Sequence, residues 1–218
     1  MKSVRTVVLG FIILLCFLVA GQAFGDESKG KVLLILHPLG TGTAGRDVID
    51  YMMIKEFGVM KATLNDAGFT VVVATVDGQP VQGKTISIMP DLKLPDVQVA
   101  DYKGIIVPCM NAAMIPPESV QVVKEALAQG KPIAVQNGAV RVLSLADGLK
   151  GKNFAISAFF ATGDGKQWFN WDGGTYRGIG VVQDGNIITS GTCPGEAKWQ
   201  KKPDGTLELT QKLIALMQ

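Results

Sequence analysis

Five consecutive apolar residues, Val32-Leu33-Leu34-Ile35-Leu36, constrain this chain more than any other feature of its sequence. A strand with no polar alternation has to be covered on both faces, as the strands of parallel sheets are. The following residues agree. Arg46 to Ala67 places Val48, Tyr51, Met52, Phe57, Met60 and Leu64 at roughly helical spacing, and Gly68 supplies a C-terminal stop. Phe69 to Thr75 then reads as a second strand. The β-α-β order predicts an α/β fold on a mostly parallel sheet with right-handed crossovers.

Further along, residues 76 to 100 are rich in Gly, Pro, Asp and Gln and read as an excursion with one short strand at Thr85 to Met89. The regular pattern resumes with a strand at Gly104 to Pro108. A helix from Pro117 to Gln129 follows, with proline at its start, Val120, Val123 and Leu127 on one face and Gly130 at its end. Pro132 to Val135 is another apolar strand and runs almost directly into a helix over Gly138 to Ala146. Phe154 to Ala158 is a further strand candidate. Ile179 to Gln183 and Asn186 to Ser190 flank Asp184-Gly185, a hairpin signal. Leu207 to Met217 closes the chain as a helix.

The N-terminus has a different character. Lys2 and Arg5 precede an apolar run from Thr6 to Gly21, and small residues follow before Asp26. That order is a signal peptide over residues 1–25, with cleavage expected after Gly21-Gln22-Ala23 or Ala23-Phe24-Gly25. The protein is therefore expected to be exported, to the periplasm or the medium. The run is shorter than the roughly 20 apolar residues that span a bilayer comfortably, so a membrane association would come only through an uncleaved signal. Residues 26–218 are enough for one domain with a sizeable core. The net charge of +2, with most cations scattered, carries no footprint for nucleic acid, and Lys198 to Lys202 reads as a solvated turn.

Gly40-Thr41-Gly42-Thr43-Ala44-Gly45 matches G-x-G-x-x-G between a strand and a helix. A dinucleotide fingerprint needs its first glycine at the strand end and an acidic residue about 20 positions on. Here His37-Pro38-Leu39 intervene and Asp77 lies too far beyond, so the segment reads as a loop over the carboxyl edge of the sheet, and no cofactor is expected. The mature region has a single histidine, His37, and no cysteine-histidine cluster at ligand spacing, so no metal is expected either.

The segment Gly130-Lys131-Pro132-Ile133-Ala134-Val135-Gln136-Asn137-Gly138-Ala139 is a strand that breaks sharply into a helix, as a nucleophile elbow does. Here the chain resembles the ThiJ/PfpI family of the class I glutamine amidotransferase-like superfamily, whose elbow typically reads Ala-x-Cys-His-Gly or Ala-x-Cys-Ala-Gly. Ala67-Gly68-Phe69-Thr70-Val71, Asp101 to Pro108, Leu149-Lys150-Gly151-Lys152 and Val182 to Ser190 are similar to further family segments in the same order. The resemblance implies a three-layer α/β/α sandwich of flavodoxin-like type, and dimers. It also implies a cysteine thiolate at the elbow, activated by a carboxylate and sometimes a histidine, with backbone donors for an oxyanion.

This chain departs from that pattern. Glu56 matches the family's glutamate on the first helix, but Gln136 stands at the cysteine position and Asn137 where many members have histidine. An amide is no nucleophile near neutral pH. The Gly-Gly of the oxyanion loop is replaced by Cys109-Met110, followed by Asn111. Gln136 is expected to donate its amide to Glu56, or to help recognise a small ligand. His37 either lines the site or is a satisfied strand-end residue.

The resemblance also places Cys109 at the end of its strand and Cys193 in the loop Gly191-Thr192-Cys193-Pro194-Gly195 beside the elbow. It thereby implies a disulfide between them in an oxidising compartment. Cys109 as a displaced nucleophile with Glu56 or His37 as base is the alternative. Trp168, Phe169, Trp171 and Tyr176 crowd a Gly-rich segment and read as a satellite cluster under a loop, or the rim of a ligand or partner surface. The expected function is non-catalytic binding of a small molecule or a partner at a vestigial site of Glu56, Gln136, Asn137, Cys109, Met110, Asn111 and Cys193. A hydrolase or deglycase-like enzyme rebuilt on Cys109 is the competing expectation.

Overall fold

The protein is described by a computed structural model that covers residues 28–37, 45–162, 169–171 and 173–218. The signal segment 1–25, residues 40–44 of the glycine-rich loop and Trp168 lie outside the described residues. A seven-stranded sheet runs through the molecule in the order β10-β11-β7-β6-β1-β2-β5. Its members are β1 (Lys31–Ile35), β2 (Thr70–Thr75), β5 (Leu92–Lys93), β6 (Tyr102–Val107), β7 (Ile133–Gln136), β10 (Val181–Asp184) and β11 (Ile187–Ser190). Every pairing is parallel except the β10–β11 hairpin at one edge.

Strand alternation sorts the core into two layers. Leu33, Ile35, Ile105, Val107, Ile133 and Val135 face α3 (Pro117–Ala128) and α4 (Val140–Leu145), where Val123, Ala126 and Leu143 meet them. Val32, Leu34, Leu36, Ile106, Ala134 and Ile188 face the opposite way. There they meet Met60 and Leu64 of α2 (Gly58–Asp66), with Leu209 and Leu213 of α7 (Thr206–Met217). Helices on both faces of a mostly parallel sheet make the three-layer α/β/α sandwich that the apolar runs require. No helix among the described residues is long and apolar enough to cross a membrane.

Several elements differ from the sequence expectation. The first helix is α1 (Arg46–Met52), a π-helical turn over Met53–Phe57 and α2, so Glu56 sits on a wide turn inside the helix. The buried stripe is Ile49, Met53, Phe57, Met60 and Leu64, and Val48 lies off it at 40% exposed. The predicted strand at Phe154 to Ala158 shrinks to β8 (Asn153–Phe154), which pairs with β9 (Thr175–Tyr176) outside the main sheet, and Ala158 already begins α5 (Ala158–Thr162). Phe154, Ala155 and Ile156 are buried as a strand's would be. Their backbone, however, bonds irregular partners: Ala155 N–H donates to Thr189 Oγ1 and Ile156 N–H to Gly178 O.

The excursion after β2 contains a hairpin of β3 (Val81–Gln82) and β4 (Ser87–Ile88), whose turn is held by Asp50 accepting from the N–H groups of Lys84 and Thr85. It also contributes β5 as an edge strand. The segment read as a loop at Gly191 to Gly195 opens α6 (Pro194–Gln200). Phe154, Phe169 and Trp171 form an aromatic chain, with centroids 5.4 Å apart for Phe154–Trp171 and 5.8 Å for Phe169–Trp171. Trp171 is buried in the core layer of α3 and α4. This part of the aromatic segment extends the core layer itself, with Phe169 packed against it, and is not a separate satellite cluster.

Ile105, fully buried in the middle of the sheet, tests the layering. Truncation to alanine is expected to cost about 2–5 kcal/mol of unfolding free energy, read from urea denaturation with the slope unchanged.

Candidate functional site

The carboxyl ends of β1, β6, β7 and β11 converge at one edge of the sheet, and the loops that leave them bring the candidate residues together. The turn after β7 shapes that edge. Asn137 has φ 47, in the left-handed region that asparagine tolerates better than most side chains, and a 3-10 turn over Asn137–Ala139 leads into α4. Gly138 follows, and a Cβ on it would lie 1.9 Å from the carbonyl oxygen of Met110. The loops after β6 and β7 therefore touch backbone to backbone, which only glycine permits.

The apex of the elbow is Asn137, one residue later than the sequence resemblance placed it. Gln136 is the last residue of β7 and shares a face with Ala134, toward α7, because side chains alternate along a strand. It does not reach Glu56. Its amide donates to Thr192 O at 3.1 Å and to Thr206 Oγ1 at 2.9 Å, and its Oε1 is buried without a partner. Both N–H groups of Gln136 are spent on the α7 side of the sheet.

Asn137 points to the other components. Its Nδ2 donates to Glu196 Oε2 at 2.6 Å and to Cys193 Sγ at 3.4 Å. Ser157 Oγ donates to the other oxygen of Glu196. Cys193 is buried and caps α6, with proline at the first helical position and Glu196 in the first turn. That Cys-Pro-Gly-Glu order is a helix-start signal, proline at the first position and glutamate two further on, and it could have been read from the sequence.

Cys109 lies just past β6 and is partly exposed. Both cysteines are free thiols, not the disulfide that the resemblance implied. The S–H of Cys109 donates to Cys193, which lowers the Cys193 thiol to about 7 against burial; Asn137 Nδ2 and the Glu196 N–H add to the effect. The same hydrogen bond, with burial, pushes the Cys109 thiol well up, although the Gly138 N–H opposes the shift. Of the two thiols, Cys193 is the one whose ionised form its surroundings favour.

Glu56 is buried, and its Oε1 accepts the Cys109 backbone N–H at 2.7 Å. Burial raises its carboxyl well above the usual range, and the negative charges of Cys193 and Asp204 push the same way. His37, at the end of β1, bonds Ser119 Oγ through Nε2 at 2.7 Å, while its Nδ1 is buried without a partner. Burial lowers its pKa to about 4. Met110 packs in the core, and Asn111 is exposed with its Oδ1 accepting the Ala113 N–H.

His37, Glu56 and Cys109 share the lining of a small cavity of about 20 Å³, whose remaining walls are apolar, with Leu36, Met53 and Phe57 among them. The chain runs from β1 to β2 on one side and later to β6 on the other, so this cavity lies at the switch point of the sheet. Gln136, Asn137 and Cys193 stand behind Cys109, outside the cavity lining. Among the described residues no group of three or more histidine, cysteine or acidic side chains could hold a metal ion.

A parallel sandwich with a left-handed residue at a strand-to-helix elbow and a buried glutamate delivered from the first helix is the frame of one class of α/β proteins. The chain belongs to the DJ-1/PfpI family, which residues 48–202 match. An uncharacterized protein from Archaeoglobus fulgidus is 31% identical over 131 residues, 58% of this chain and 75% of that one. Among solved structures, a ThiJ/PfpI domain protein from Brachyspira murdochii superposes with a TM-score of 0.65 at 15% identity, covering 88% of this chain and 97% of that one. A two-domain protein from Anabaena variabilis, containing dj-1/thij/pfpi-like and ferritin-like domains, gives 0.58 at 22% identity, covering 86% of this chain. This chain spans 54% of that two-domain protein. At these identities the two structures speak to the fold.

Two outcomes follow from the geometry. Asn137→Gly keeps the backbone conformation and loses the amide, whereas Asn137→Ala loses both. The expected order of stability is wild type, then glycine, then alanine, each step about 1 kcal/mol or more in urea denaturation. The second concerns pH. The His37 imidazole titrates near 6.5 when unfolded and near 4 when folded, so the unfolded chain takes the extra proton and stability is lost as pH falls through that window. The Glu56 carboxyl ionises near 4.5 when unfolded and keeps its proton when folded, so it costs stability as pH rises above that value. Denaturation midpoints across pH should show a flatter acid limb for His37→Gln, and a gain of Glu56→Gln over wild type that grows with pH.

Proposed function

We propose that this is an exported DJ-1/PfpI-family protein that no longer runs cysteine chemistry at its elbow and works by binding a small, uncharged molecule at the switch-point edge of the sheet between β1 and β6. One observation carries the reading: the apex residue is Asn137, an amide whose N–H groups already hold Glu196 and Cys193. That edge presents apolar walls with the Glu56 carboxyl, whose pKa burial raises, and the His37 imidazole, whose pKa burial lowers, so both disfavour charge and the lining favours an uncharged guest. Open α/β sheets bind ligands at this place in the topology.

The competing reading, a hydrolase or deglycase-like enzyme on Cys109, has less support. Glu56 meets Cys109 through its backbone N–H and His37 Nε2 bonds Ser119, so neither candidate base is hydrogen-bonded to the thiol it would have to activate. Export rests on the order of residues 1–25, and a homodimer is the assembly that the family likeness suggests.

Purified mature protein should show no turnover above buffer with peptide, ester and glycated-amine substrates, while thermal-shift screening with small neutral metabolites should find a stabilising ligand that His37→Ala weakens. Saturable turnover abolished by Cys109→Ser would overturn the binding reading in favour of the enzyme. N-terminal sequencing of protein recovered outside the cytoplasm checks export, with a start after Ala23 or Gly25 expected.

A further inference from the structure

The carboxyl edge of the sheet holds a second, far larger cavity beside the small one. Its volume is about 380 Å³, within the range of small-molecule sites, and His37 at the end of β1 stands in the lining of both. Thr75 at the end of β2, Asp77 just beyond it and Asn111 after β6 bring the other polar groups, with Pro80 and Pro116 among the apolar ones. Asp77 and Asn111 are exposed, whereas Thr75 and His37 are buried. The cavity therefore has an open polar mouth and a buried polar floor.

Hydrogen bonds within the lining fix what each polar group still offers. Thr75 Oγ1 gives its hydrogen to Gln79 O at 3.0 Å, so toward the cavity it can only accept. Asp77 uses Oδ1 on the Gln79 N–H at 3.0 Å and keeps a second carboxylate oxygen. Asn111 uses Oδ1 on the Ala113 N–H, which leaves its amide N–H groups as donors. His37 is decided by Ser119. That serine is fully buried, and His37 Nε2 is the one acceptor for its hydroxyl among the described residues. The arrangement that strands no buried hydrogen has Ser119 donating to Nε2 and the imidazole proton on Nδ1, which is buried without a partner. The wall thus presents two donors, from His37 and Asn111, and two acceptors, from Thr75 and Asp77.

We propose that this cavity binds a small, neutral polyhydroxy compound, a polyol or monosaccharide, with one ligand oxygen accepting from His37 Nδ1–H and a ligand hydroxyl donating to Asp77. The proposal rests on the binding reading and names its ligand class. A hydroxyl both donates and accepts, so neighbouring hydroxyls satisfy a wall of mixed polarity that an alkyl or simple carbonyl compound would satisfy only in part. The C–H faces of such a ligand suit Pro80 and Pro116. No lysine or arginine is among the lining residues and Asp77 stands at the mouth, so an anion is turned away. Burial keeps the His37 ring neutral, and it recognises the ligand by a hydrogen bond and not by charge.

Residues 26–218 carry one histidine, so mature protein isotope-labelled at histidine nitrogen reports this ring alone. Its long-range proton–nitrogen NMR spectrum should place the proton on Nδ1. Titration with D-glucose, D-ribose or myo-inositol should move the Nδ1 signal, with a dissociation constant of about 1 mM or tighter for at least one of them. Gluconate, the anionic counterpart of glucose, should bind about tenfold more weakly, and Asp77→Asn should narrow that difference. Asp77→Ala should weaken the neutral probe about tenfold. Met114→Trp, at an exposed position of the lining, should obstruct the cavity and weaken the same probe while the thermal midpoint holds. Protonation on Nε2, or a ring that no probe moves, overturns the proposal. A neutral metabolite of another class that stabilises the protein and binds Met114→Trp as well as wild type keeps the binding reading and overturns this site. No neutral ligand at all, together with turnover that Cys109→Ser abolishes, overturns both.

Discussion

Gly138 and the Met110 carbonyl meet with no room for a side-chain carbon between them, and the arrangement of the site follows from that contact. It draws the loop after β6 against the elbow after β7, so that Cys109 arrives with its backbone N–H on Glu56 and its thiol toward Cys193. A bulkier residue at either loop would separate the two sulfurs and leave the buried carboxyl of Glu56 without its donor. The π-helical turn at Met53–Phe57 completes the arrangement by delivering that carboxyl from the other side of the sheet edge.

Electrostatics then limit what this edge can hold. Glu56 and Cys193 share one poorly solvated region, where two negative charges repel each other strongly. Hydrogen-bond donors gather on Cys193, while Glu56 receives one N–H and is raised by burial first. The region therefore favours charge on the Cys193 sulfur over charge on the Glu56 carboxyl. His37 remains neutral for the same reason, burial without an anionic partner. The elbow amide takes part only as a donor, with Asn137 reaching a carboxylate on one side and a sulfur on the other.

Much of the sheet was legible because its strands are buried on both faces: Val32 to Leu36, Val71 to Ala74, Ile105 to Val107 and Ile133 to Val135 are apolar without interruption. The same criterion failed at Ala155 and Ile156, which are buried beyond the two-residue β8–β9 ladder, since burial and strand pairing are separate properties. The short edge strand β5 escaped notice because it carries too few residues to show a period. In the site, Glu56, Cys109 and Cys193 were identified from sequence, but the elbow was read one residue early. Matching Gly138 to the family's elbow glycine put Gln136 at the apex, whereas strand alternation turns Gln136 toward α7 and puts Asn137 there.

The sequence by itself determined that this chain builds a parallel α/β sandwich and that its elbow has no cysteine, because both are properties of local residue type: uninterrupted apolar strands and the amides Gln136-Asn137. Only the tertiary structure decided which amide occupies the apex, which partners Gln136 and His37 take, and that Cys109 and Cys193 meet with opposite tendencies to ionise. These depend on distances between loops far apart in the chain and on which groups water can reach, and no local pattern of residues encodes either.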